Sequence, residues 1–474
     1  MSHSSYDSGI QATIPMAPLV PFDLPEEILR LICAQLCAHC SPKSSLHSEL
    51  PPLTRSPTNT KALIRLSKTC RHFYHIARPF IYHDFVPRPQ RQSQVKDFLR
   101  TICANRTLAT HVRRLAIYND FSFPGEHRRF VKEEAAMRGI LHAVGWDPPI
   151  DKATGEIMLD PLEGLNSYRF AVGLFLDTTP NIEQLYLETY ALPQDTMLPP
   201  STHLPALKVL HLTTDMESAE PLSLEPIKSI FEKAPNLEYL ELNLWFSGSI
   251  SWALGNLRWL KLKDSILGLH DLHTLATACH KLETFVFHTS LVDEQVPALT
   301  QSFLPSNIQQ GLLPCKSTLR HLEIQCNWET IRRHPQHELI TSLKEFPFLE
   351  SLVLSAACIG FVNHTQQRFD EPRPLGKDAK PLGDASFLTR FLPASIKAVV
   401  FDGNCANLYA PIVALAQDVT NGSFPNLESF EVTGKKPSFM SGDFESLEVN
   451  MADVGVFFEV RYASHFSHDV ERVV

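Results

Sequence analysis

Apolar residues in the middle of the chain return at one fixed internal spacing: a first apolar position, then two more, three and five residues later. Nine phrases between residues 182 and 432 carry it: PNIEQLYL, PALKVLHL, PNLEYLEL, GNLRWLKL, HKLETFVF, STLRHLEI, PFLESLVL, ASIKAVVF and PNLESFEV. The closing positions of each alternate, as Leu185 and Leu187 flank Tyr186, which is the period of a strand with one buried face. The first apolar residue supports the turn into that strand. Upstream, HVRRLAI sets Val112, Leu115 and Ile117 on the same spacing and is expected to open the array, and VGVFFEVRY near the end alternates as a closing strand. Between phrases, EPIKSIFEKA (225–234) and HDLHTLATACH (270–280) space apolar residues at three and four, which predicts amphipathic helices.

The first apolar positions are Ile182, Leu207, Leu237, Leu257, Leu282, Leu319, Leu349, Ile396 and Leu427, separated by 25, 30, 20, 25, 37, 30, 47 and 31 residues. Several of these lie near the roughly 20–30 residues of a strand-plus-helix repeat, and the longer gaps imply insertions. No unit buries both its strand face and its helix stripe alone, so neighbours must stack. The pattern resembles a leucine-rich repeat of the helical, cysteine-containing kind. That resemblance implies an α/β solenoid with parallel strands on the concave side and helices on the convex side. The match is irregular: the asparagine eight positions after the first leucine occurs only as Asn327, and Cys279 fits the cysteine variant in one unit.

Ahead of the array, PFDLPEEILRLICAQLCAH (21–39) places Glu26 and Glu27 where carboxylates complement a helix dipole, with Ile28, Leu29, Ile32 and Leu36 spaced as one face. A second amphipathic run, KALIRLSKTCRHFYHIARPFIYHDF, sets Leu63, Leu66, Cys70, Phe73 and Ile76 on another. LPEEIL followed by LIRLSKTCRHFYHIA resembles an F-box, and VKDFLRTICANRTLATHVRRLAIY resembles the bridge that joins an F-box to leucine-rich repeats in many fungal F-box proteins. The expected organisation is a disordered tail (1–20), an F-box (21–85) with an inserted Pro/Ser/Thr-rich loop (40–60), a helical linker (86–110) and a repeat domain with insertions (111–474). Loops so poor in apolar residues do not pack a core. The resemblance implies a substrate-receptor subunit of an SCF-type ubiquitin ligase. Its F-box would bind a Skp-type adaptor, and through it a cullin, by way of Leu24, Pro25, Ile28, Ile32, Leu63 and Leu66. The repeats would hold an unidentified protein substrate. Two alternatives stay open: a repeat scaffold acting outside a ligase, and an enzyme with a site assembled from dispersed residues.

The 474-residue chain is 44% apolar and 20% charged, ordinary for a folded protein. A net charge of −9 with scattered Lys and Arg argues against nucleic acid. No stretch approaches about 18 uninterrupted apolar residues, so no membrane span is expected. The first twenty residues lack Lys and Arg and do not read as a signal peptide. The ten cysteines are irregularly spaced and fit a reducing cytosolic or nuclear compartment. Asn105, Asn363 and Asn421 are then chance glycosylation triplets.

Cys33, Cys37, His39 and Cys40 raise the question of zinc, but Cys33 and Cys37 read as positions of one helix and no second Cys/His pair has finger-like spacing, so no metal or cofactor is expected. Phosphate loops, zinc-protease helices and nucleophile elbows are missing, so no catalytic residue is assigned. Binding instead falls to the outward strand positions: Gln184, Tyr186, His211, Tyr239, Glu241, Trp259, Lys261, His288, His321 and Glu323. Of these Tyr186, His211, Tyr239, Trp259, Lys261, His288 and His321 are the substrate candidates, since aromatic anchors dominate many interfaces.

Overall fold

The computed structural model describes residues 24–40, 57–87, 92–117, 172–188, 202–213, 225–243, 254–263, 265, 268–289, 304–326, 339–359, 385–403, 408–434 and 443–462. The tail 1–20, residues 41–56 of the inserted loop, residues 126–170 and 363–384, and Asn327 lie outside them. The chain divides into two compact units, 1–84 and 85–474.

The described residues of the first unit pack three helices. Helix α1 (Glu26–Leu36) starts behind Pro25, whose carbonyl accepts the amides of Ile28 and Leu29. Glu26 and Glu27 occupy the first turn, and Arg30 pairs with Glu26 at 2.7 Å one turn on. The second amphipathic run is two helices rather than one. Helix α2 (Pro57–Ser67) ends where the Ser67 and Thr69 hydroxyls donate to the carbonyls of Ile64 and Leu66, and α3 (Arg71–Tyr82) restarts after an extended Cys70. Among the described residues the core of this unit is seven buried side chains: Leu29, Cys33, Cys37, Leu63, Phe73, Ile76 and Ala77. Leu24, Leu36, Leu66 and Cys70 are half-buried around it.

Among the described residues the sheet has twelve strands in strict sequence order, a mixed α/β solenoid-like arrangement. They are β1 (Asp84–Phe85), β2 (Arg114–Ile117), β3 (Gln184–Glu188), β4 (Val209–Thr213), β5 (Tyr239–Asn243), β6 (Trp259–Lys263), β7 (Thr284–Thr289), β8 (His321–Cys326), β9 (Ser351–Ser355), β10 (Ala398–Asp402), β11 (Ser429–Gly434) and β12 (Phe457–Tyr462). From β2 to β12 every pairing is parallel and in register with the phrases, so one column runs Leu185, Leu210, Leu240, Leu260, Phe285, Leu322, Leu352, Val399, Phe430 and Phe458. Every side chain in that column is buried. At about 1.5–3 kcal/mol per buried Leu or Phe, the three anchors of a phrase offset much of its ordering entropy only when neighbours complete the burial. The expected helices form as Glu225–Lys233 and Leu269–Ala278, and helices Gln92–Ala104 and Arg106–Ala109 occupy the expected linker. Leu99, Ile102 and Ala109 from that linker join the same continuous core as the repeats.

A backbone ladder locks each phrase to the previous one. The carbonyl ahead of each strand accepts two amides from the next unit: Arg113 from Glu183 and Gln184, Lys208 from Glu238 and Tyr239, and so on to Lys397 from Glu428 and Ser429. In three units the asparagine of the phrase adds a third bond, Nδ2 of Asn181, Asn236 and Asn256 donating to the carbonyls of Thr110, Pro205 and Pro235 at 2.8–2.9 Å. Inter-repeat asparagine bonding is therefore present, but one position before the first apolar residue and not eight after it.

Candidate functional site

On α1 the apolar residues divide between two faces. Leu29 and Cys33 point into the core, while Ile28 (41% exposed), Leu31 (60%) and Ile32 (43%) point out, with Pro25 also exposed at the helix start. The expected single face of Ile28, Leu29, Ile32 and Leu36 is thus corrected to an inner and an outer one. A helix that must pack on one side only needs about half of its circumference apolar; α1 has more. Of the six expected adaptor contacts, Pro25, Ile28 and Ile32 are exposed, Leu24 and Leu66 are half-buried, and Leu63 at 2% exposed is a core residue that shapes the unit from within. Leu31 on α1, Ile64 on α2 and Tyr74 on α3 are exposed and were not expected. The signal for Leu31 was present, since apolar residues at 28, 29, 31 and 32 exceed one stripe. Arg78 lies 5.2 Å from the Tyr74 ring centroid, a cation–π distance.

On the repeat sheet the outward residues of β3 to β6 form a continuous stack. Tyr186 lies on His211 at 4.3 Å between ring centroids, His211 meets Tyr239 at 4.9 Å, and Tyr239 lies on Trp259 at 3.9 Å with the rings 10° apart. The parallel register brings this about by placing Tyr186, His211, Glu241 and Lys261 side by side in the middle row, with Tyr239 and Trp259 in the row before. Glu241 is the hub. Its carboxylate accepts the Tyr239 hydroxyl at 3.1 Å and lies 2.7 Å from Nδ1 of His211 and 3.4 Å from Lys261 Nζ. Burial alone would raise its pKa; His211, then Lys261 and Tyr239, outweigh burial and hold it down to about 2. His211, Tyr239 and Lys261 are each less than a tenth exposed, so of the substrate candidates only Tyr186, Trp259, His288 and His321 offer appreciable surface.

A second cluster centres on Glu323, which lies 2.9 Å from His288 Nε2 and 3.7 Å from His321 Nε2 and accepts the Gln325 amide at 2.8 Å. Burial opposes ionisation here too, and the two histidines overcome it, keeping the carboxyl well below its usual range. Beyond β8 the middle row becomes Val353 and Val400, before Glu431 and Glu459. The middle row thus runs from aromatic and charged residues on β3 to β8, with Val286 on β7, through aliphatic ones on β9 and β10 to carboxylates on β11 and β12.

The strand-entry edge carries charges of strictly alternating sign: Arg113, Glu183, Lys208, Glu238, Arg258, Glu283, Arg320, Glu350, Lys397 and Glu428. These are the residues whose carbonyls form the backbone ladder. Arg113 pairs with Glu183 at 3.2 Å, Arg258 with Glu283 at 2.6 Å, Lys397 with Glu350 at 2.8 Å, and Arg320 also pairs with Glu350. A shallow groove along this edge is lined by Lys208, Glu238, Arg258 and Glu283, groups that pair among themselves. The alternation is visible in the phrases but not in the apolar spacing by which they are found.

One further cluster lies in the first unit. Helix α1 stops at Leu36, so Cys37 is not inside it but follows it with extended backbone (φ −84°, ψ 124°), and a turn over residues 38–40 brings Cys37, His39 and Cys40 against His83 at the end of α3. Cys33, one turn earlier, faces the core, where burial raises its thiol pKa. Cys37 thus lies outside the helix expected to hold it with Cys33, and His83, at no finger-like spacing, joins Cys37, His39 and Cys40.

No helix among the described residues is long and apolar enough to cross a membrane. In comparisons with known proteins, no protein-family model and no curated protein matches the chain.

Proposed function

We propose that the chain is the substrate receptor of an SCF-type ubiquitin ligase, its N-terminal module an F-box that docks a Skp-type adaptor and its repeats a leucine-rich-repeat domain that captures a target protein. The observation that carries this reading is the outer face of α1. A unit with so small a core nevertheless leaves Pro25, Ile28, Leu31 and Ile32 exposed on the helix that begins with LPEE. Contiguous exposed apolar side chains favour a partner surface. The sheet face supports the second half of the reading: Trp259 and Tyr186 cap a rigid aromatic stack, and His288, His321 and Glu323 offer polar contacts beside it.

The mechanism is proximity. The receptor holds a lysine of the target near a ubiquitin-loaded conjugating enzyme, raising its effective concentration, and supplies no catalytic group. Comparing protein half-lives in cells with and without the chain tests this. A receptor predicts at least one associated protein whose half-life lengthens on its loss and on deletion of residues 21–85. Unchanged half-lives for every associated protein would contradict it and favour a scaffold.

A further inference from the structure

We propose that Cys37, His39, Cys40 and His83 bind one zinc ion that fastens the end of α1 to the end of α3. Their donor atoms all lie within 4.8 Å of one another. Sγ of Cys40 is 3.5 Å from Nδ1 of His39 and 3.3 Å from Nδ1 of His83, and Sγ of Cys37 is 3.9 Å from the same His83 nitrogen. A tetrahedron built on Zn–S of about 2.3 Å and Zn–N of about 2.0–2.1 Å has edges of roughly 3.3–3.8 Å, so the three contacts of 3.3–3.9 Å already match it, and the widest pair of donors has about 1 Å to close around an ion.

The donor set is selective as well as close. Two thiols and two imidazoles in tetrahedral array suit zinc, whereas calcium and magnesium require oxygen. Both thiols give up their protons to solvent on binding, the imidazoles bind neutral through Nδ1, and two thiolates balance the dipositive ion, leaving a neutral site suited to its partly buried position. Cys37 is buried and the other three ligands half-buried, with the His83 ring 4.9 Å from Phe80 and 5.8 Å from His39.

The fold gives the ion a task. Among the described residues the unit has a seven-residue core, and the Pro/Ser/Thr-rich segment 41–56 separates α1 from α2 in sequence. A link from Cys40 to His83 spans 43 residues and closes that long segment inside a single clamp, where cross-links restrict the unfolded chain most. It also fixes the C-terminal end of the helix whose outer face carries Ile28, Leu31 and Ile32. The site stands whether or not that face docks an adaptor.

Metal analysis of the full chain, purified under a reducing agent without chelator, tests the proposal. About one zinc per chain is expected, with cobalt substitution giving the intense visible bands and thiolate charge-transfer absorption of a tetrahedral S2N2 site. Cys37→Ser/Cys40→Ser is expected to lose the metal, His83→Gln to bind it at least about tenfold more weakly, and Cys33→Ser to bind as the parent does. The cobalt spectrum of the parent chain decides even if a ligand variant fails to fold. Absence of stoichiometric metal after zinc reconstitution, a cobalt spectrum without thiolate charge transfer, a Cys37–Cys40 disulfide under the same reducing conditions, or full metal retention by the double serine variant would overturn it.

Discussion

Among the described residues, the N-terminal module has seven side chains in its core and five large apolar ones facing solvent; the much longer repeat unit buries an unbroken apolar column from Leu185 to Phe458 and exposes four, Leu269, Phe348, Val449 and Phe457. The repeats leave polar and aromatic groups outside and pair them with one another, as around Glu241 and Glu323. In one unit apolar side chains stay exposed, Ile28, Leu31 and Ile32 of α1 among them, and this is the face proposed above to dock a partner. In the other, Glu241 and Glu323 are held by neighbouring groups of the same sheet face, which leaves Tyr186, Trp259, His288 and His321 as the accessible positions of the surface proposed above to bind a target.

Substitutions can break this contrast at several points. Phe285→Ala, in the middle of the buried column, is expected to destabilise the array by about 3–5 kcal/mol, measured by denaturant unfolding. Leu29→Ala in the module should cost about 2–5 kcal/mol, whereas Ile28→Ala, its neighbour on the outer face, should stay within about 0.5 kcal/mol. Equal losses at 28 and 29 would erase the distinction between inner and outer faces.

Glu241→Gln leaves His211 and Lys261 without their carboxylate and should cost about 3 kcal/mol. Because the folded-state pKa of Glu241 lies below the ordinary value of 4.5, its contribution is complete above about pH 4.5 and disappears as pH falls towards about 2. Acid titration followed by Trp259 fluorescence should show a transition in that window that the Gln variant lacks. The smallest effect belongs to the edge charges. Glu283→Lys sets three cations in a row with Arg258 and Arg320 and should cost less than about 1 kcal/mol, falling further at high salt.

The strands were legible in the sequence because each phrase repeats the same three burial positions, and the parallel register follows once like phrases stack like on like. Side-chain pairing across that register was within reach as well: Tyr186, His211, Glu241 and Lys261 fall at the same place in four successive phrases. Other features were not, for reasons of geometry. Leu63 and Ile64 are adjacent and both apolar, and only the packing of α2 decides which one enters the core. The break at Cys70 has neither Gly nor Pro to announce it. His83 lies 43 residues from Cys40, and nothing local indicates that the two approach.

The central claim rests on the outer face of α1, and the direct measurement is the affinity of the full chain for a purified Skp-type adaptor. The parent chain is expected to bind, Ile28→Asp/Ile32→Asp to lose binding by at least about 100-fold while unfolding at the parent's denaturant concentration, and Trp259→Ala to bind as the parent does. No binding by the parent, or undiminished binding by the aspartate variant, would contradict the account.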